Sequence, residues 1–124
     1  MNTWINVLLV GAGGMLGSML RYGMSLLPVR SRSGFPVITL AINLIGALAI
    51  GLIAALAGKS GHGDSRLVLF LKVGLCGGFT TFSTFSWEAA ELLQSGRTGT
   101  GLCYIALSAA LCVAAVFAAR ALVG

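Results

Sequence analysis

Four stretches of this chain are long and apolar enough to cross a lipid bilayer, and together they take up nearly its whole length. A spanning helix needs roughly 20 mostly apolar residues. Residues 4–29, 37–57, 67–94 and 101–123 each meet that requirement. Of the 124 residues, 57% are hydrophobic and only 9% charged, too few charges to wet the surface of a soluble domain this size. As a water-soluble globule the chain would expose apolar patches large enough to drive aggregation. The expected fold is therefore an all-α membrane protein, a single domain of four transmembrane helices, with any chemistry lying inside the bilayer. The first stretch has no basic segment ahead of it, is rich in glycine and is too long for a signal-peptide core. It is expected to stay in the mature chain.

Several function classes drop out. Cys76, Cys103 and Cys112 all fall within apolar spans, without CxxC or histidine spacing, and read as small buried hydrophobes. His62 stands alone in the Gly-rich loop 58–65 and reads as a solvated loop residue. No nucleophile–base pair, metal cluster or phosphate loop can be assembled, so an enzyme is not expected. The net charge of +5 comes from residues scattered singly near helix ends. That leaves no patch able to track a nucleic-acid backbone, and no soluble protein partner is implied. Such residues suit anchoring to anionic lipid, or a weak attraction for small anions at a pore mouth.

Four spans place both termini and the middle loop on one side of the membrane. That side carries Lys59, Arg66, Arg120 and, slightly deeper, Lys72; the other carries Arg30, Arg32, Arg97 and, slightly deeper, Arg21. Lys and Arg in short loops set membrane orientation, and here they balance. One explanation is insertion in both orientations, with inverted copies pairing about an axis in the membrane plane. Inverted repeats within single chains build the same geometry in many transporters. The other is a fixed orientation set by something besides charge.

Polar residues inside the spans narrow the reading. In the first span, Gly13/Gly17 and Gly14/Ser18 are small-xxx-small pairs that let helix backbones approach closely. Arg21 follows, either reaching for the interface or lining a positive vestibule. Thr39 and Asn43 are four apart, so they share one face of the second span. A membrane-embedded Asn needs partners: another helix, or an anion in a permeation path. The third span holds Gly77-Gly78-Phe79-Thr80-Thr81-Phe82-Ser83-Thr84-Phe85-Ser86. Paired glycines followed by β-branched and hydroxyl residues make poor helix, and broken backbone at membrane depth must face protein or an ion. A break near the middle of this span is expected, against the alternative of a flexible helix with back-bonded hydroxyls. Converging carbonyls from two inverted copies would then make a cation site. Phe82 and Phe85 share a face, and the positive edges of aromatic rings can host a small anion without a full charge. A fixed charge would hold such an ion too tightly for fast passage. Glu88 and Glu91 follow at one-turn spacing, either interfacial or, for Glu88, holding a proton or accepting a hydrogen bond. Tyr104, Ser108 and Cys112 form a weakly polar stripe on the fourth span, equally consistent with pore lining and with interhelical bonding.

Taken together, Arg21-Tyr22 closing a Gly-rich first helix, the segment Asn43-Leu-Ile-Gly46, and above all the run 77–86 resemble the CrcB/Fluc family of fluoride channels. The resemblance covers essentially the whole chain. It implies passive fluoride export from bacteria, a multi-pass protein of the inner (plasma) membrane, and an antiparallel, dual-topology homodimer with two pores. It also implies a structural sodium ion at the dimer centre, held by the backbone carbonyls of Gly77 and Thr80 in each chain. Asn43, Phe82 and Phe85 match the family's pore residues, with Thr39, Tyr104 and Ser108 as polar lining. The hydroxyls of Thr81, Ser83 and Thr84 join that lining, and Arg21 becomes the anion-collecting residue. Two alternatives stand beside this reading. Small multidrug transporters share the size and dual topology, but they couple protons through an acidic residue in the first helix, and residues 4–29 contain none. A non-conducting subunit of a larger membrane assembly would have no need of the polar residues Thr39, Asn43, Tyr104 and Ser108.

Overall fold

In a computed structural model that describes residues 2–124, the chain is all-helical and has four helices long and apolar enough to span a membrane, at Thr3–Ser25, Val37–Ser60, Arg66–Gln94 and Thr98–Val123. It is a multi-pass membrane protein. Its apolar residues mostly face outward: Leu8, Leu20, Leu56, Leu67 and Leu122 are all exposed. Between 11% and 22% of each span's most apolar window is buried inside the chain, so lipid or another protein must cover the rest.

Local chemistry sets the helix ends. Helix α1 (Thr3–Ser25) opens where the Asn2 side chain accepts from Trp4 N at 3.0 Å and Ile5 N at 3.4 Å, satisfying donors that lack a helical partner. The apolar stretch continues to Val29, but the helix stops at Ser25, ahead of Pro28. Helix α2 (Val37–Ser60) begins directly after Pro36 and closes on Gly61 at φ 75°, where His62 N donates to Ala57 O at 2.9 Å. Only glycine takes that left-handed conformation cheaply.

The third span is two helical pieces. Helix α3 (residues 66–79) starts at Ser65, whose hydroxyl accepts from Val68 N at 3.2 Å, and widens to a π-helical turn over Leu69–Cys76. After Phe79 the backbone turns extended, with Thr80 at φ −82°, ψ 160° and Thr81 at φ −148°, ψ 117°. Helix α4 (Phe82–Gln94) then begins, capped by the Thr81 hydroxyl accepting from Thr84 N at 3.1 Å. Helix α5 (Thr98–Val123) follows a turn through Gly96 at φ 85°.

The helices pack as α1 on α3, α2 on α5 and α4 on α5. At the first contact, backbone meets backbone. A Cβ on Gly13 would lie 2.6 Å from Phe70 O and 2.8 Å from Leu75 N; one on Gly78 would lie 2.6 Å from Gly14 O. Gly11, two residues from Gly13, has open space beside it. Gly13→Ala should therefore destabilise the fold by roughly 1–3 kcal/mol, the usual cost of overpacking. Gly11→Ala should be neutral or mildly stabilising through helix propensity. Thermal unfolding of the two variants in detergent checks this, and equal melting points would refute the backbone contact.

The two ends of the bundle are tied by side chains. Lys59 Nζ donates to Val123 O at 3.1 Å, joining the ends of α2 and α5. Arg97 Nη1 donates to Ser33 O at 3.2 Å, holding the 26–36 loop against the start of α5. Lys59, Arg66 and Arg120 thus gather at one end, and Arg30, Arg32 and Arg97 at the other.

Candidate functional site

The extended pair Thr80–Thr81 sets the centre of the site. Backbone leaving a helix inside a membrane must find new partners, because hydrocarbon offers none. Asn43 on α2 supplies both for Thr81: its Nδ2 donates to Thr81 O at 3.1 Å and its Oδ1 accepts from Thr81 N at 2.8 Å. The carboxamide acts as a one-residue strand, filling the donor and acceptor that the helix left open. Because Thr81 N–H goes to Asn43, the Gly77 carbonyl is released from the donor that a continuous helix would give it. Thr80 turns back instead, its N and Oγ1 donating to Cys76 O at 3.1 and 3.0 Å. From the other side, Arg21 Nε donates to Gly78 O at 3.1 Å.

A groove of about 380 Å³ opens beside this break, lined by Asn43, Gly46, Gly77, Thr80, Thr81, Phe82, Phe85, Ser108 and Cys112 among others. Among the described residues, no charged side chain lines it. Ser108 is 7% exposed, and its buried hydroxyl finds no hydrogen-bond partner among the described residues. Such a hydroxyl is costly to bury unless something accepts or donates to it. Phe82 stands at the open side, 79% exposed.

A second cavity, of about 770 Å³, lies at the loop end between Arg30, Phe35, Thr39, Glu88, Glu91 and Arg97. Tyr104 connects the two. Its ring is 5.1 Å from that of Phe85, which lines the groove, and its hydroxyl donates to Glu88 Oε1 at 3.0 Å, on the cavity wall. Tyr104 is fully buried, with Ala89 and Leu92 in the same cluster.

Of the residues singled out in the sequence, Asn43, Thr81, Phe82, Phe85 and Ser108 line the groove, together with Gly77 and Thr80. Thr39 lines the loop-end cavity, and Tyr104 lies between the two spaces. Ser83 and Thr84 are exposed and line neither; Ser83 Oγ is 3.4 Å from Thr81 Oγ1. Arg21 also lines neither, its guanidinium being held at the break by the Gly78 carbonyl. Two contacts have no local signature in the sequence: the pair of hydrogen bonds between Asn43 and Thr81, and the ring of Phe35 against Tyr104.

The family profile described as "CrcB-like protein, Camphor Resistance (CrcB)" matches residues 8–120. The chain belongs to the CrcB family. Relatives in that family carry the name "Fluoride-specific ion channel FluC". One from Ruminiclostridium cellulolyticum is 44% identical over 117 residues, covering 94% of this chain and 90% of the relative. One from Paracoccus denitrificans is 45% identical over 109 residues, covering 88% and 86%. One from Agrobacterium fabrum is 41% identical over 119 residues, covering 95% of both. These CrcB relatives are channels, and the family is not one of enzymes.

Proposed function

We propose that this chain is a fluoride-selective channel giving passive fluoride export across the bacterial inner membrane, with two pores in an antiparallel homodimer. One observation carries the reading. Amide, hydroxyl and phenyl groups from three helices converge on a single uncharged groove, in a chain whose relatives are named as fluoride channels.

Fluoride is small and holds its water tightly, so a path for it must replace that water with close donors. Asn43 has a second Nδ2 hydrogen beyond the one given to Thr81, and Ser108 has an unengaged hydroxyl. The rings of Phe82 and Phe85, 5.5 Å apart, can add their positive edges. Donors without full charge bind the ion well enough to admit it and weakly enough to release it. Arg residues at the ends of the bundle raise the local anion concentration.

The groove is open on the side where Phe82 and Gly77 are exposed, and a second copy would close it. Balanced charge at the two ends favours an inverted copy. Gly77 and Thr80 fit a sodium ion at the centre of such a pair. Hard cations take oxygen ligands, the Gly77 carbonyl has lost its helical donor, and two chains would together supply enough oxygens. Bound there, sodium would hold the interrupted helices in register and would not itself be transported.

The test is ion efflux from liposomes holding the purified protein, with a potassium–valinomycin shunt to carry the balancing charge. Rapid fluoride loss with negligible chloride loss is expected. No fluoride movement from well-folded protein would overturn the proposal, and proton-coupled cation transport would be assayed next.

A further inference from the structure

The pore aromatics do not end at Tyr104. Phe35, in the loop before α2, packs against that ring as well: centroids 5.4 Å apart, planes at 78°. Four rings therefore form an unbroken row, Phe82–Phe85–Tyr104–Phe35, with successive spacings of 5.5, 5.1 and 5.4 Å. The row starts at the open side of the groove and ends at Phe35, on the wall of the loop-end cavity.

We propose that Phe35 is a positioning residue for conduction, acting through Tyr104. This rests on the channel reading above. Tyr104 is fully buried with the rings of Phe85 and Phe35 both against it, and its hydroxyl donates to Glu88 Oε1. With both rings in place the tyrosine is held from two directions of contact, and the hydroxyl stays beside Glu88. Without Phe35 the space next to Tyr104 joins a cavity of about 770 Å³. The ring can then lean into it, the hydroxyl can leave Glu88, and water can reach the inner end of the path. The loop is well suited to hold a ring there. Phe35 N donates to Ser33 Oγ at 3.4 Å, the next residue is Pro36, and Arg97 Nη1 donates to the Ser33 carbonyl. Proline restricts the residue before it to extended backbone, which narrows the directions the Phe35 side chain can take.

The experiment compares Phe35→Leu and Phe35→Trp with the parent in single-channel-density liposomes, reading two quantities from each efflux trace. The fraction of vesicles that empty counts folded, inserted channels; the rate in those vesicles reports conduction. Phe35→Leu should leave the fraction unchanged and slow the fluoride rate about three- to ten-fold, the scale of one lost ring pair. Phe35→Trp should keep the parent rate. A parent-like rate in Phe35→Leu overturns the inference, whatever happens to the fraction. If Phe35→Leu does not insert, Phe35→Met is read in the same way. A parent protein that moves no fluoride overturns the channel proposal itself, so the two failures are distinguishable.

Discussion

Phe85→Ile should reduce fluoride efflux to the leak of protein-free liposomes while leaving the protein folded and its assembly state unchanged. Phe85 sits between two rings on the groove side of the row, 5.5 Å from Phe82 and 5.1 Å from Tyr104. Isoleucine fills much of the same volume, so the destabilisation should stay below the roughly 3–5 kcal/mol of a Phe→Ala truncation. It has no ring edge, however, and an aliphatic surface offers an anion nothing in exchange for its water. Efflux and gel filtration of the same preparation check both halves of the expectation. Parent-level flux both in this variant and in Phe82→Ile would refute the role of ring edges in conduction.

Asn43→Ala should have the second largest effect, and it should act on stability as well as flux. The change removes both hydrogen bonds to Thr81, at 3.1 and 2.8 Å. An extended residue inside the membrane is then left with a bare N–H and a bare carbonyl, each worth roughly 1–3 kcal/mol when buried without a partner. The expected result is a lower melting point in detergent together with lost efflux. Asn43→Asp keeps an acceptor for Thr81 N but turns a negative oxygen toward Thr81 O and toward the anion path, so it too should fail to conduct. A variant at this position with normal flux and normal melting would mean that the break is held by something other than Asn43.

Much of this was legible in the sequence, and the reason is physical. A bilayer forces long apolar runs on any helix that crosses it, so four spans are visible without any contact being known. Polar groups are expensive there, which makes Thr39, Asn43, Tyr104 and Ser108 conspicuous, and the structure sets all four around or between two spaces. What local pattern does not encode is pairing across the fold. Asn43 reads as a donor facing an ion or a neighbouring helix, and nothing in its surroundings says that its amide spans both backbone groups of Thr81, 38 residues away. Arg21 reads as a vestibule residue, and nothing around it says that its Nε donates to the carbonyl of Gly78, 57 residues on. Phe35 belongs to a loop, where no periodicity marks a residue as facing inward, and its role emerges only from the ring it meets on α5. The ends of helices were harder still: proline and glycine stop α1 and α2 at places the hydropathy does not mark.

The contact between α1 and α3 has a consequence for inheritance. Where two helices meet through side chains, a bulky change on one can be relieved by trimming the residue opposite. At Gly78 the atoms that a new methyl would strike are the main-chain oxygen and Cα of Gly14, and no further substitution can make Gly14 smaller. A genetic screen for revertants of Gly78→Ala should therefore return the original glycine, or changes far away that let the whole helix shift. It should not return a compensating partner on α1. The seam is a place where this protein's history can only be repeated or abandoned, never renegotiated one residue at a time.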